Sequence, residues 1–420
     1  MKNLKGAAIF AQSGGPTSVI NASAAGVFSE ALKQKNITAV YGAAYGIKGV
    51  LDEDFYDISK EDAYELNLLK YTPSSALGSV RYKLKDYKVD DTYYKRILEV
   101  FKIYNIRYFF YNGGNDSMDT CNKISKFIKK SGYDCNVIGI PKTIDNDLYG
   151  TDHCPGFGSA AKYVATSIME ISLDAKVYDI PSICIVETMG RNAGWLTGAT
   201  AIAKYKGEGP DLIYLPEVSF SIDKFMDDIK DVCAKNKNKC IVVVSEGIKD
   251  ENGTLIGEIL GQAEASKHID SFGHKQLGGV ALQLAGLVKQ KLGFKTRSIE
   301  FSLLQRCAGH LASKVDVEES FKAGVKAVRA AVNGTTDKMV IYKREIVNGK
   351  YKCKVTLGSL TLAANTEKIV PREWINKEGN FVTQEFIDYV LPLIQGDAKA
   401  PLEDGMPRFV KLKKVQAGKK

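Results

Sequence analysis

No apolar run in these 420 residues approaches the roughly 20 that a membrane-spanning helix requires, so a helical bilayer span is excluded. The first apolar run, Ala7 to Ala11, is too short for the core of a signal peptide, which leads us to expect a cytoplasmic protein. Eight cysteines are scattered with no C-x-x-C pair and no cysteine–histidine cluster of zinc spacing, so reduced, mostly buried thiols are expected rather than a disulfide framework or a zinc site. The four histidines, His153, His268, His274 and His310, show no mutual metal spacing. Internal repeats and low-complexity stretches are missing too, so nothing marks a linker.

What remains is ordinary in bulk. With 45% hydrophobic and 25% charged residues, the chain has the composition of a globular protein and length enough for two domains. Its net charge of +9 owes much to Arg408, Lys411, Lys413, Lys414, Lys419 and Lys420, all in the last thirteen residues. That clustering reads as a solvated and disordered tail over 408–420 rather than a nucleic-acid patch, and a basic protein also suits a small anionic substrate. We expect neither nucleic acid nor membrane as a partner.

Strand-like runs alternate with amphipathic helical stretches. GAAIFAQ leads through SGGPTS into VINASAAGVFSEALKQ, RYFFYN leads through GGND into MDTCNKISKFIKK, and CNVIGI leads into PKTIDND. SICIVET precedes MGRNAGWLTGATAIA, DLIYLPE precedes a helix starting near Ser221, and CIVVVSEG closes the series. This order predicts an α/β fold with two mainly parallel sheets, helices on both faces, and a functional crevice at the carboxyl ends of the strands. Near the other end, MVIYKREI and KYKCKVTL predict a β-hairpin turning at Asn348 and Gly349.

Four loops at those strand ends carry unusual residues. Gly14 and Gly15 in SGGPTS permit close approach of backbone to an anion at a helix N-terminus. GSVR supplies Arg81, GGNDS supplies Asp116, and PKTIDND supplies Lys142, Thr143, Asp145 and Asp147. One aspartate in such a loop is ordinarily a helix cap. Two acidic loops on successive strands, beside glycine-rich turns, exceed what capping requires and suit Mg²⁺-dependent phosphoryl transfer.

The order SGGPTS, GSVR, GGNDS, PKTIDND, MGRNAG, SEG and LLQR, spanning Gly6 to Lys314, resembles the 6-phosphofructokinases. The resemblance implies two similar Rossmann-like α/β domains with the active site in the cleft between them. The donor and metal domain is expected over 1–156, completed by part of 309–370, and the sugar-phosphate domain over 157–308, completed by C-terminal segments. It implies that Asp145 is the general base on the C1 hydroxyl of fructose 6-phosphate, with Thr143 and Asp147 positioning that hydroxyl and the transferring group. Met189, Gly190, Arg191, Glu246 and Arg306 match positions that hold the sugar phosphate. Arg297 matches an arginine that reaches it from a neighbouring subunit, implying a homodimer or homotetramer. Gly14 and Arg81 match contacts to the phosphoryl donor.

Relatives that use ATP usually carry glycine in place of both Asp116 and Lys142. A carboxylate at 116 would occupy the space of the nucleotide's α-phosphate, while Lys142 could pair with it and with the leaving phosphate of a shorter donor. The resemblance therefore implies inorganic pyrophosphate as donor and a reversible reaction. Three positions depart from the commonest pattern: Asn115 replaces an aspartate of the metal loop, leaving Asp116 and Asp145 as candidate ligands; Ser182 replaces an effector-site arginine; Leu303 replaces a histidine or tyrosine. ATP as donor, and a non-catalytic sugar-phosphate sensor, are the alternatives; the second is disfavoured because both Asp145 and Asp147 are present.

Overall fold

The computed structural model describes residues 4–261, 279–363 and 366–419, so His268 and His274 lie outside the described residues. The strands that build its two large sheets are β1 (Gly6–Gln12), β2 (Ile37–Ala43), β3 (Phe55–Asp57), β4 (Ile106–Gly113), β5 (Asn136–Pro141), β6 (Ser182–Thr188), β7 (Leu212–Tyr214), β8 (Lys239–Ser245), β9 (Lys295–Glu300), β10 (Lys338–Val347) and β11 (Lys350–Ser359). The first sheet runs β11-β10-β5-β4-β1-β2-β3 and the second β7-β8-β6-β9. The second sheet is wholly parallel, and the first is parallel except for its two edge strands. Every residue of β1 and β5 is buried, and β4, β6 and β8 are buried except near their starts. Helices cover both faces, which is why these segments read as continuous apolar runs instead of alternating ones.

The expected hairpin is β10 and β11, whose turn residues Asn348 and Gly349 both have positive φ, 52° and 73°. It extends the first sheet beyond β5, so that sheet draws strands from both ends of the chain. The C-terminal residues also cover the second half: Trp195 lies between Trp374, Phe386 and Tyr389 at ring separations of 5.2–6.0 Å. Trp195 is thus a packing residue, as its place after MGRNAG suggested.

The basic tail is a correction. Instead of being free, it runs extended along the β3 edge, with Asp57 N–H donating to the Val415 carbonyl and Ala417 N–H to the Phe55 carbonyl, each at 2.8 Å. Backbone N–H groups of Lys411, Lys413 and Lys414 donate to Glu65 and Glu61 at 2.6–2.8 Å. An exposed sheet edge needs cover, and this segment supplies it. Among the described residues no helix is long and apolar enough to cross a membrane.

Two helix contacts place the strand-end loops. The helix Ile20–Ala31, which follows SGGPTS, crosses Lys314–Val332 so closely that a Cβ at Gly26 would lie 2.1 Å from the Phe321 carbonyl oxygen, and one at Gly324 would lie 2.2 Å from that of Ser23. Further along, Asp316 accepts from Gly156 N–H at 3.0 Å and Ser159 N–H at 2.9 Å, tying the helix Phe157–Lys176 to the same element. Since backbone cannot yield as a side chain can, Gly26→Ala should destabilise the protein by about 1–3 kcal/mol. Urea unfolding checks this, and a variant with the wild-type midpoint would contradict the close crossing.

Candidate active site

The carboxyl ends of both sheets face one crevice of about 390 Å³. From the first half it is lined by Gly14, Gly15, Arg81, Asn115, Asp116, Lys142, Thr143, Asp145 and Asp147, and from the second by Met189, Arg191, Glu246 and Arg306. Gly190 stands just behind, its N–H donating to Glu246 Oε1 at 3.3 Å. Arg297, expected to serve a neighbouring subunit's site, lies outside this chain's own crevice. It sits on β9, an edge strand, against a larger groove of about 840 Å³ that also meets Ser182. That groove lacks the glycine loop and the facing carboxylates of the crevice, so volume does not identify the chemical site. Leu303 is exposed.

Three cations converge on the glycine pair. A Cβ at Gly14 would meet Lys142 Nζ at 3.1 Å, and one at Gly15 would meet Arg306 at 3.1 Å and Arg81 at 3.9 Å. Gly14 has φ +77°, open to glycine at little strain. The PKTIDND loop is shaped by Lys142 N–H donating to the Gly113 carbonyl, Thr143 N–H donating to the Pro155 carbonyl, and Thr143 Oγ1 accepting from Asp145 N–H, all at 3.0 Å.

Burial dominates the electrostatics. It pushes the Lys142 ammonium down to about 8, against the pull of Asp145 and with the help of Arg306 and Arg81. It raises Asp145, helped by Glu246, and raises Asp147, helped by Asp145; Glu246 is raised to about 6. A base of ordinary carboxylate acidity is therefore not what the site offers; burial makes Asp145 the stronger base.

The expected pairing of Asp116 with Lys142 is also corrected. Asp116, in the first turn of the helix Asn115–Lys130, has its carboxylate 3.9 Å from Lys83 Nζ, whereas the carboxylates that act on Lys142 are Asp145 and, more weakly, Asp147. Lys142 comes off the end of β5 into the floor, and Asp116 stands at the rim. The sequence reading did not single out Lys83, nor Glu367, which lines the crevice and accepts from Asn192 Nδ2 at 3.0 Å. Neither belongs to a motif that could have signalled it.

A hard cation would suit the oxygens present. Asn115 Nδ2 donates to Asp147 Oδ2 at 2.9 Å, while Asn115 Oδ1 is buried without a protein partner. That orphaned acceptor, flanked by carboxylates, fits a Mg²⁺ ligand. Among the described residues, the one group of three ligand-type side chains with donor atoms within 4.8 Å of one another is His153, Glu319 and Cys353, away from the crevice. Asp116, Asp145 and Asp147 do not close on one point in this way.

This arrangement has counterparts among known proteins. A pyrophosphate–fructose 6-phosphate 1-phosphotransferase of Halomonas elongata is 44% identical over 98% of this chain and 97% of its own, and one of Xanthomonas campestris is 44% identical over the same shares. The structure of a pyrophosphate-dependent phosphofructokinase from Nitrosospira multiformis matches with a TM-score of 0.88 at 41% identity, covering 98% of each chain. The family model described as Phosphofructokinase matches residues 7–341. That span contains every strand-end loop lining the crevice except the segment of Glu367, and the chain belongs to the phosphofructokinase family.

Proposed function

We propose that the protein transfers a phosphoryl group from inorganic pyrophosphate to the C1 hydroxyl of fructose 6-phosphate, reversibly, giving fructose 1,6-bisphosphate and phosphate. The sugar oxygen attacks one phosphorus of pyrophosphate, the bridging P–O bond breaks, phosphate leaves, and the hydroxyl proton passes to Asp145. Thr143 and Asp147 position the hydroxyl and the transferring group. Lys142, Arg81 and the Gly14 backbone hold the donor; Met189, Gly190, Arg191, Glu246 and Arg306 hold the sugar phosphate. The role of these cations is to neutralise phosphoryl oxygens in a water-poor site, where fixed charges act strongly.

The observation that carries the donor assignment is the buried Lys142 ammonium beside Gly14, with the Asp116 carboxylate at the rim. A compact dianionic leaving group suits the first, and a nucleotide α-phosphate would be repelled by the second. The near full-length similarity to pyrophosphate-using relatives supports the same donor. Asn115, Asp116 and Asp145 would hold Mg²⁺, which when bound neutralises the donor's charge. A homodimer or homotetramer belongs to this reading, with Arg297 serving a neighbouring copy from β9.

A coupled assay with Mg²⁺ and fructose 6-phosphate, comparing pyrophosphate with ATP, tests the donor. Pyrophosphate should support turnover and ATP should not. Asp116→Gly together with Lys142→Gly should admit ATP at the expense of pyrophosphate; unchanged donor preference would overturn the assignment. Asp145→Asn, which keeps the shape and removes the base, should lower kcat by roughly a hundredfold to ten-thousandfold.

The depressed Lys142 pKa has a sign that can be checked. Its charged form binds the anionic donor, and above about pH 8 the free enzyme loses that charge. Accordingly kcat/KM for pyrophosphate should fall on an alkaline limb near pH 8 in the wild type, and Lys142→Arg, which stays charged, should move that limb upward. Coincident profiles for the two proteins would show that Lys142 does not titrate against the donor.

A further inference from the structure

Three residues outside the reaction just described hold the loop that carries it. Asn146 stands between Asp145 and Asp147, fully buried, at φ +55°, a left-handed conformation that asparagine tolerates better than most residues with a side chain. Its amide is bonded at both ends. Nδ2 donates to Tyr389 Oη at 2.9 Å, and Oδ1 accepts from Cys154 N–H at 2.9 Å and from Lys368 Nζ at 3.4 Å.

Lys368 and Tyr389 are themselves anchored. Lys368 Nζ and Tyr389 Oη both donate to the Asp152 carbonyl at 2.6 Å, and Lys368 Nζ lies 4.9 Å from the Trp195 ring centre. The Lys368 backbone N–H donates to the Asp147 carbonyl at 2.8 Å, and its carbonyl accepts from Trp195 Nε1 at 2.8 Å. One residue earlier, Glu367 accepts from Asn192 in the MGRNAG loop. The strand-like segment at 367–368 therefore bonds to the PKTIDND loop of the first half and to the MGRNAG loop of the second. With Asn146 turned inward, its neighbours Asp145 and Asp147 both line the crevice.

We propose that Lys368 and Tyr389, acting through Asn146, are positioning residues that hold the Asp145 and Asp147 carboxylates in their reactive placement. The proposal rests on the phosphoryl-transfer reading above and deepens it. A misplacement of about 1 Å at a reacting group can cost on the order of a hundredfold in rate, which sets the scale expected.

The test uses the full chain with Asn146→Gly, which keeps the left-handed backbone and drops the side-chain bonds, with Lys368→Met, and with Tyr389→Phe, which removes one oxygen and is the least disruptive to folding. Steady-state kinetics, Tm, and amide exchange over 143–148 and 182–188 are measured for each. Asn146→Gly and Lys368→Met should lose about tenfold to a hundredfold in kcat with KM for both substrates changed by less than about threefold, and amides at 143–148 should exchange faster while those of β6 do not. Wild-type kcat in folded variants would overturn the proposal, as would a loss that appears only in Tm. Should the wild type fail to use pyrophosphate, the proposed function falls, and exchange at 143–148 then decides the loop claim alone: faster exchange sustains it and unchanged exchange overturns it.

Discussion

Charges of both signs held together out of water are the constraint on which this molecule turns. Lys142, Arg81 and Arg306 line one crevice together with Asp145, Asp147 and Glu246, and burial opposes the charged form of each group whose ionisation is displaced there. At the effective dielectric of such sites, two unit charges about 4 Å apart interact by about 4 kcal/mol, enough to displace a neighbour's ionisation by several pH units. Neither sign prevails: the ammonium is pushed toward neutrality while the carboxylates are pushed toward protonation. In the proposed reaction, a polyanionic donor would favour the charged ammonium and a divalent cation the charged carboxylates, which relieves both tendencies at once.

Holding such groups requires rigid supports, and the fold supplies them from distant parts of the chain. Helix Lys314–Val332 meets the helix behind SGGPTS at two glycines and caps the helix Phe157–Lys176 through Asp316, so one element touches both halves. The hairpin β10–β11 and the segment at 366–370 then return from the C-terminal third to close the first sheet and to bond two strand-end loops. Side chains that repel one another stay adjacent because the backbone beneath them is bonded elsewhere.

These supports were the least legible part of the sequence. The strands were legible because β1, β4, β5, β6 and β8 are covered on both faces and so form unbroken apolar runs. The hairpin was legible because Asn-Gly is suited to two successive positive φ angles. Most of the crevice was legible because its residues cluster in short loops after those strands. The tail was not, since its order comes from backbone N–H groups donating to Glu61 and Glu65, some 350 residues earlier, while its own side chains carry the charge expected of a solvated segment. Lys83, Glu367 and Lys368 were hidden for the same reason: their partners are distant, and a lone lysine or glutamate has no local pattern. Arg297 was legible as a residue type but falls outside this chain's own crevice.

The separation of Asp116 from Lys142 changes the physical account of donor choice. As an ion pair, the two would have formed one device, and the carboxylate's power to repel would have been spent on the lysine. With Lys83 as its partner, 3.9 Å away across a partly exposed contact that solvent screens, Asp116 is only weakly paired, and its charge is not tied up with Lys142. Lys142, buried at the floor, keeps its ammonium for the phosphate end of the donor. In the proposed reading, exclusion by Asp116 and neutralisation by Lys142 are then separate terms, and both favour a short, highly charged donor over a long one.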